Sequence, residues 1–173
     1  MSEKQHDLLD SFRHLSNLAL PELGGALCSV SEEFFAPAKR MLSDEDPVFI
    51  PGRFDQHGKW MDGWESRRKR TAGFDSCVVR ICPGVIRGVE INTRHFTGNY
   101  PPAIMLEACS VDIEPDNRTV WSVLVVKTDI EGDSVRLFPV SSENTWTHVR
   151  LNIYPDGGIA RLRVYGEPEG HQG

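Results

Sequence analysis

Residues 58–70 read Gly-Lys-Trp-Met-Asp-Gly-Trp-Glu-Ser-Arg-Arg-Lys-Arg, which sets two carboxylates, Asp62 and Glu65, among five cations. Carboxylates move protons and guanidiniums grip anions, so this stretch has the parts of a site. Trp60 and Trp64 lie four apart, as on a helix face, but Gly58 and Gly63 argue against a long helix. A loop is the better reading, with the indoles bracing Asp62, Glu65 and Arg67 and with Lys59 at its entry. The plainer alternative, a solvated basic turn anchored by two core tryptophans, suits Lys69 and Arg70.

Three further places carry polar residues in excess of structural need. Residues 93–102 offer His95, Asn99 and Tyr100: an acid/base, an amide and a phenol beside Gly98, which permits close backbone approach. A structural loop whose histidine caps a turn is the competing reading. Glu107 sits in an otherwise apolar run, either at a sheet edge or buried with a partner such as arginine; burial would raise its pKa and pairing would lower it. His148, Arg150 and Asn152 share one face of a strand-like segment, and Arg161 and Arg163 share one face of the next. Such rows are ordinarily solvated; the alternative is a cationic groove for a carboxylate.

The elements that must position these residues are mostly strands. Residues 7–20 carry Leu8, Leu9, Phe12, Leu15 and Leu18 at helical spacing and stop at Pro21, which predicts a short amphipathic helix. Residues 26–30 read as a first strand, 31–37 as a helical turn, 39–46 as a polar loop, and Pro51-Gly52 as a turn. From Ser76 onward the texture is β: strands are predicted at 77–81, 85–93, 103–113, 121–128 and 135–140. Residues 148–154 and 159–165 alternate cleanly about Pro155-Asp156-Gly157-Gly158, which predicts a β-hairpin. Seven or eight such strands imply an all-β antiparallel sandwich. The expected division is a helical arm at 1–22, one sandwich domain at 23–167 and a frayed tail at 168–173.

At 173 residues the chain suits one domain, and its formal net charge of −6 argues against nucleic acid as partner. The opening residues are charged and no apolar run reaches membrane-spanning length, so neither a secretory leader nor a membrane partner is expected. Four cysteines at spacings foreign to zinc motifs suggest reduced thiols and a cytoplasmic location. Glycine-rich nucleotide-binding, zincin and nucleophile-elbow motifs are absent. His57, His95 and His148 could in principle meet at a metal, though they stand far apart in the sequence.

The longer stretches, Glu33-Phe34-Phe35-Ala36-Pro37, Val48-Phe49-Ile50-Pro51-Gly52, residues 58–68, His95 through Pro102 and His148 through Arg163, strongly resemble the allantoicase family over residues 24–166. The resemblance implies a jelly-roll sandwich of the galactose-binding kind. It also implies hydrolysis of a C–N bond in a linear amidine, allantoate giving ureidoglycolate and urea in purine breakdown. Allantoicases of the usual kind carry two tandem copies of this module, whereas this chain has room for one. Pairing of two chains, one half of a longer protein, or a different task would each account for that, and a homo-oligomer is expected.

Allantoate presents a carboxylate and two ureido groups on one carbon, and its chemistry assigns roles. An arginine fork from Arg67, Arg150 or Arg161 should hold the carboxylate, with Lys59, Trp64 and His148 as further contacts. Asn99 and Tyr100 should read the ureido groups. His95 or Glu65 should protonate the departing nitrogen, and Asp62 or Glu107 should take the other N–H proton. A divalent metal that polarises a carbonyl or activates water stays open, without an obvious ligand set. The competing classes are a non-catalytic module that binds a small polar ligand and a structural subunit docking through its N-terminal helix.

Overall fold

The computed structural model describes residues 1–170; the end of the expected frayed tail, residues 171–173, lies outside them. In chain order the elements are α1 (Glu3–Phe12), β1 (Ser16–Asn17), β2 (Ala26–Val30), β3 (Phe54–Asp55), β4 (Gly58–Lys59), β5 (Trp64–Glu65), β6 (Asp75–Asn92), β7 (Ala103–Cys109), β8 (Ser122–Asp129), β9 (Val135–Pro139), β10 (Thr145–Tyr154), β11 (Gly158–Ile159) and β12 (Arg161–Pro168), with 3-10 turns at Pro21–Leu23 and Ala38–Leu42.

The two strands expected at 77–81 and 85–93 are one strand, β6, and it organises the fold. Its first half pairs antiparallel with β2 on one side and β10 on the other, and β10 continues through β7 to β8. Its second half pairs with β12 and β9, and β12 continues to β1. One long strand therefore belongs to both layers of a jelly-roll sandwich, crossing between them near Pro83-Gly84. Register puts Leu151 opposite Leu106, Ile153 opposite Ile104 and Leu162 opposite Ile91. All six are buried in the single large core between the layers. Burying each such side chain stabilises the fold by roughly 1.5–3 kcal/mol.

The hairpin expected at 148–165 does not form. β10 and β12 both pair with β6, at its opposite ends, and not with each other. Clean alternation reports one buried face and one polar face; it does not name the neighbouring strand. Residues 155–160 are thus an arch from one layer to the other, and Gly158–Ile159 pairs instead with Trp64–Glu65.

The N-terminal helix is shorter and earlier than the spacing suggested. It runs from Glu3 to Phe12, capped by Ser2, whose Oγ accepts from the Gln5 N–H at 3.2 Å. Beyond it the helix does not continue: Asn17 Oδ1 accepts from the Val164 and Ala19 amides, and of the leucines there Leu18 alone enters the core. Gln5 clamps the backbone of Leu137 through both amide atoms, so α1 covers an otherwise open edge at β9. Residues 31–37 form no helical turn, whereas Ala38–Leu42, expected as loop, is a 3-10 turn with Ala38, Met41 and Leu42 buried. Among the described residues no helix is long and apolar enough to cross a membrane.

Candidate active site

One end of the sandwich carries a cavity of about 580 Å³, lined by Lys59, Glu65, His95 and Asn99 together with Phe35, Phe49, His57 and Asp133. A second cleft of about 520 Å³ shares Phe35, Glu65, Gly98 and Asn99 and adds Arg68, Lys69, Tyr100 and Asp156. Glu65 and Asn99 are therefore the partition between two hollows.

The arch at 155–160 fixes both sides of that partition. Glu65 lies on β5, whose backbone pairs with Gly158 on one side and Ala36 on the other. The Gly158 amide donates to Asn99 O at 2.6 Å, and the Ser66 amide donates to Gly157 O at 3.0 Å. Gly157 has φ 133°, and a Cβ there would lie 2.6 Å from Pro101 N and 2.7 Å from Tyr100 C, so glycine is required for the loop to dock this closely. Across the joint thus made, Asn99 Nδ2 donates to Glu65 Oε2 at 2.6 Å. Burial pushes the Glu65 carboxyl above its usual range, while the Asn99 amide and the charge of Lys59 pull the other way.

His95 is exposed at the cavity mouth. Its Nε2 lies 3.2 Å from Pro47 O, and a carbonyl can only accept, so Nε2 carries a hydrogen, which leaves Nδ1 as the lone pair of the neutral form of the ring. Lys59 brings an ammonium to the same cavity, 5.5 Å from the Phe49 ring centre.

Other residues singled out from the sequence stand elsewhere. Trp64 is fully buried and spends its indole N–H on Glu32 O at 2.8 Å. Asp62 pairs with Arg161, Nη2 to Oδ2 at 2.8 Å, and the buried Arg161 also donates to Glu45 O, Asp62 O and Ala160 O. That guanidinium is a post under the loop, with no face toward either hollow. Arg163, in the same row, pairs with Glu90 and donates to the carbonyls of Asp44 and Glu45, so the row is neither solvated nor an open groove. Arg67 folds outward onto Glu32 and the Phe34 ring. The Arg40 and Arg53 guanidiniums both stack over the Trp60 ring.

Glu107 and Arg150 form a two-pronged pair at 3.0 and 3.1 Å on the outer face of the β10–β7 layer, joined by Asn152 Nδ2 at 2.7 Å. His148 is buried on that strand; desolvation and Arg80 lower its pKa. None of these lines the cavity. Tyr100 lines the second cleft only. Among the described residues no three His, Cys, Asp or Glu side chains gather as metal ligands.

Sequence reasoning did not select Asp133 or Arg68, and it raised His57 only as one of three histidines that could share a metal; His57 and His95 line the cavity, and His148 does not. His57 follows Asp55, whose Oδ1 accepts its amide, in the tight β3–β4 turn. Asp133 lies in an Glu-Gly-Asp-Ser turn far along the chain, where a turn signal alone gives no hint of a site. Arg68 was one of a basic run, and only its backbone path sets it beside Glu65.

The family model for the allantoicase repeat matches residues 16–169. A probable allantoicase from Burkholderia mallei is 55% identical over 159 residues, which cover 91% of this chain and 47% of that protein. The crystal structure of an allantoicase from Saccharomyces cerevisiae superposes with a TM-score of 0.81 at 29% identity, covering 96% of this chain and 54% of the other. A carbohydrate-binding module of Clostridium perfringens, solved with galactose, shares the fold at 16% identity and a TM-score of 0.57. The chain spans about half the length of the curated relatives it matches.

Proposed function

The chain belongs to the allantoicase family, and from that premise we propose that this module hydrolyses allantoate to ureidoglycolate and urea. The observation that carries the reading is the Glu65–Asn99 contact at the wall of a cavity that also holds His95 and Lys59. A buried carboxyl with a raised pKa is a proton donor, and an imidazole with a free Nδ1 is a proton acceptor.

In this reading Lys59 takes the substrate carboxylate and Asn99 the ureido oxygen or amide. Arg68 reaches the same centre from the second cleft. His95 Nδ1 removes the N–H proton of the retained ureido group. That electron pair forms a C=N bond as the other C–N bond breaks, and Glu65 delivers its proton to the departing nitrogen, releasing urea. Water then adds to the imine carbon. Its proton restores Glu65, and the imidazolium returns its proton to the imine nitrogen. Substrate binding favours this sequence, because a carboxylate on Lys59 offsets the charge that holds the Glu65 pKa down.

We further read the module as pairing with a second copy in the cytoplasm. Its relatives are about twice as long, and Val123 and Val126 stand exposed on the edge strand β8. The sedimentation mass of the purified chain tests this; a monomer at working concentration would refute it. The activity is tested by following urea in an allantoate solution, with and without EDTA to read any contribution from a divalent ion. Thermal stabilisation by allantoate without urea release would instead favour a binding module.

A further inference from the structure

His95 and Asp133 are the two non-glycine residues of the described chain with positive φ, at 74° and 45°. They come from loops thirty-eight positions apart and are bonded to each other. The His95 amide donates to Asp133 Oδ1 at 3.0 Å, and the Asp133 amide donates to Phe96 O at 3.0 Å. Arg94 Nη1 reaches Asp133 O at 3.4 Å. Both residues line the cavity that contains Glu65. Left-handed backbone at a side chain other than glycine persists only where its surroundings impose it, and such positions gather at functional sites.

The bonding explains what is imposed. With His95 in an extended or right-handed conformation, its amide would leave Asp133 and its ring would leave Pro47 O. Asp133 fixes the backbone at one end of the residue, and Pro47 O fixes the ring at the other. Between them the free Nδ1 is held as the lone pair at the cavity mouth.

We propose that Asp133 is a positioning residue for His95: its carboxylate holds the His95 backbone amide, and through that backbone keeps the imidazole on Pro47 O in the orientation that proton abstraction requires. The proposal rests on the role given to His95 above. A turn cap with no link to chemistry is the alternative, and the two differ in what a substitution does. Glycine at 133 accepts the left-handed backbone but removes the acceptor; asparagine keeps an Oδ1 acceptor and tolerates the same φ.

Asp133→Gly is expected to keep the thermal midpoint of the parent while kcat for urea release falls about tenfold or more, within the range of a general base put out of place, with KM little changed. Asp133→Asn is expected to restore most of kcat. In a His95→Asn background, Asp133→Gly should add nothing. Parental kcat in Asp133→Gly, or an undiminished further loss in the double variant, overturns the proposal. The 15N shifts of the His95 ring give a readout independent of substrate: the Nε2–H tautomer in the parent, a tautomer average in Asp133→Gly. Identical ring shifts in both also overturn it. If the parent releases no urea, the functional reading fails, and the ring shifts still decide whether Asp133 positions His95.

Discussion

Glu65 differs from the enclosed acids that carry ion pairs by what it lacks. Asp62 faces Arg161, Asp75 faces Lys69, Glu90 faces Arg163 and Glu107 faces Arg150, each as an ion pair. Glu65 is more than half buried and has an amide where the others have a cation. Its folded pKa is raised, so its contribution to stability is full below the ordinary carboxylate range and is lost as pH rises through the folded value. Glu65→Gln carries no such penalty. Its thermal midpoint should therefore gain on the parent as pH is raised from acid to neutral, while kcat falls roughly 100-fold or more. A midpoint difference that shrinks with rising pH would contradict the burial argument. Arg68→Ala, in contrast, should raise KM with kcat largely kept, read from the same urea assay, because it binds charge present before and during reaction alike. At this scale the sequence exposed candidate groups but not their pairing. Glu65, His95, Asn99 and Lys59 meet in space, whereas Arg150 and Arg161, of equal promise in the sequence, are spent on Glu107 and Asp62. Nothing local to an arginine says which acid, distant in the chain, will claim it.

The element that decides the site is the arch at 155–160. It pairs with Glu65 through β11 and holds the Asn99 loop through the Gly158 amide, so one short segment sets both partners of the central contact. Gly157→Ala should cost about 1–3 kcal/mol, read by chemical denaturation, and should lower kcat beyond the loss of folded protein, because the added carbon pushes the loop that carries Asn99. Arg161→Met breaks the pair with Asp62 and leaves that carboxylate enclosed, which should cost about 3–5 kcal/mol in the same measurement. Wild-type stability in Arg161→Met would mean that water reaches Asp62 and the post is dispensable. The strands themselves were legible: 103–113 from one shared face, though β7 ends at Cys109; 121–128 from its apolar centre, as β8; and 148–154 from alternation, within β10. The connection between the last two long strands was not. A turn of Pro-Asp-Gly-Gly suits a hairpin and an arch equally, and only the length of β6, hidden by the Pro83-Gly84 punctuation, gives the two strands separate places to pair.

For the whole molecule, an antiparallel two-layer sandwich followed from strand number and texture, and its jelly-roll form from the resemblance carried by residues 24–166. Size was the informative departure: this module matches about half of each long relative. In the proposed mechanism every residue comes from this one module, so the single module is expected to be competent by itself. The direct test is urea release from allantoate by the purified 173-residue chain, with Glu65→Gln as the folded control. Catalytic release by the parent and loss of nearly all of it in the variant is the expected result. Equal release by both, or none from the parent at high protein concentration, would contradict the account.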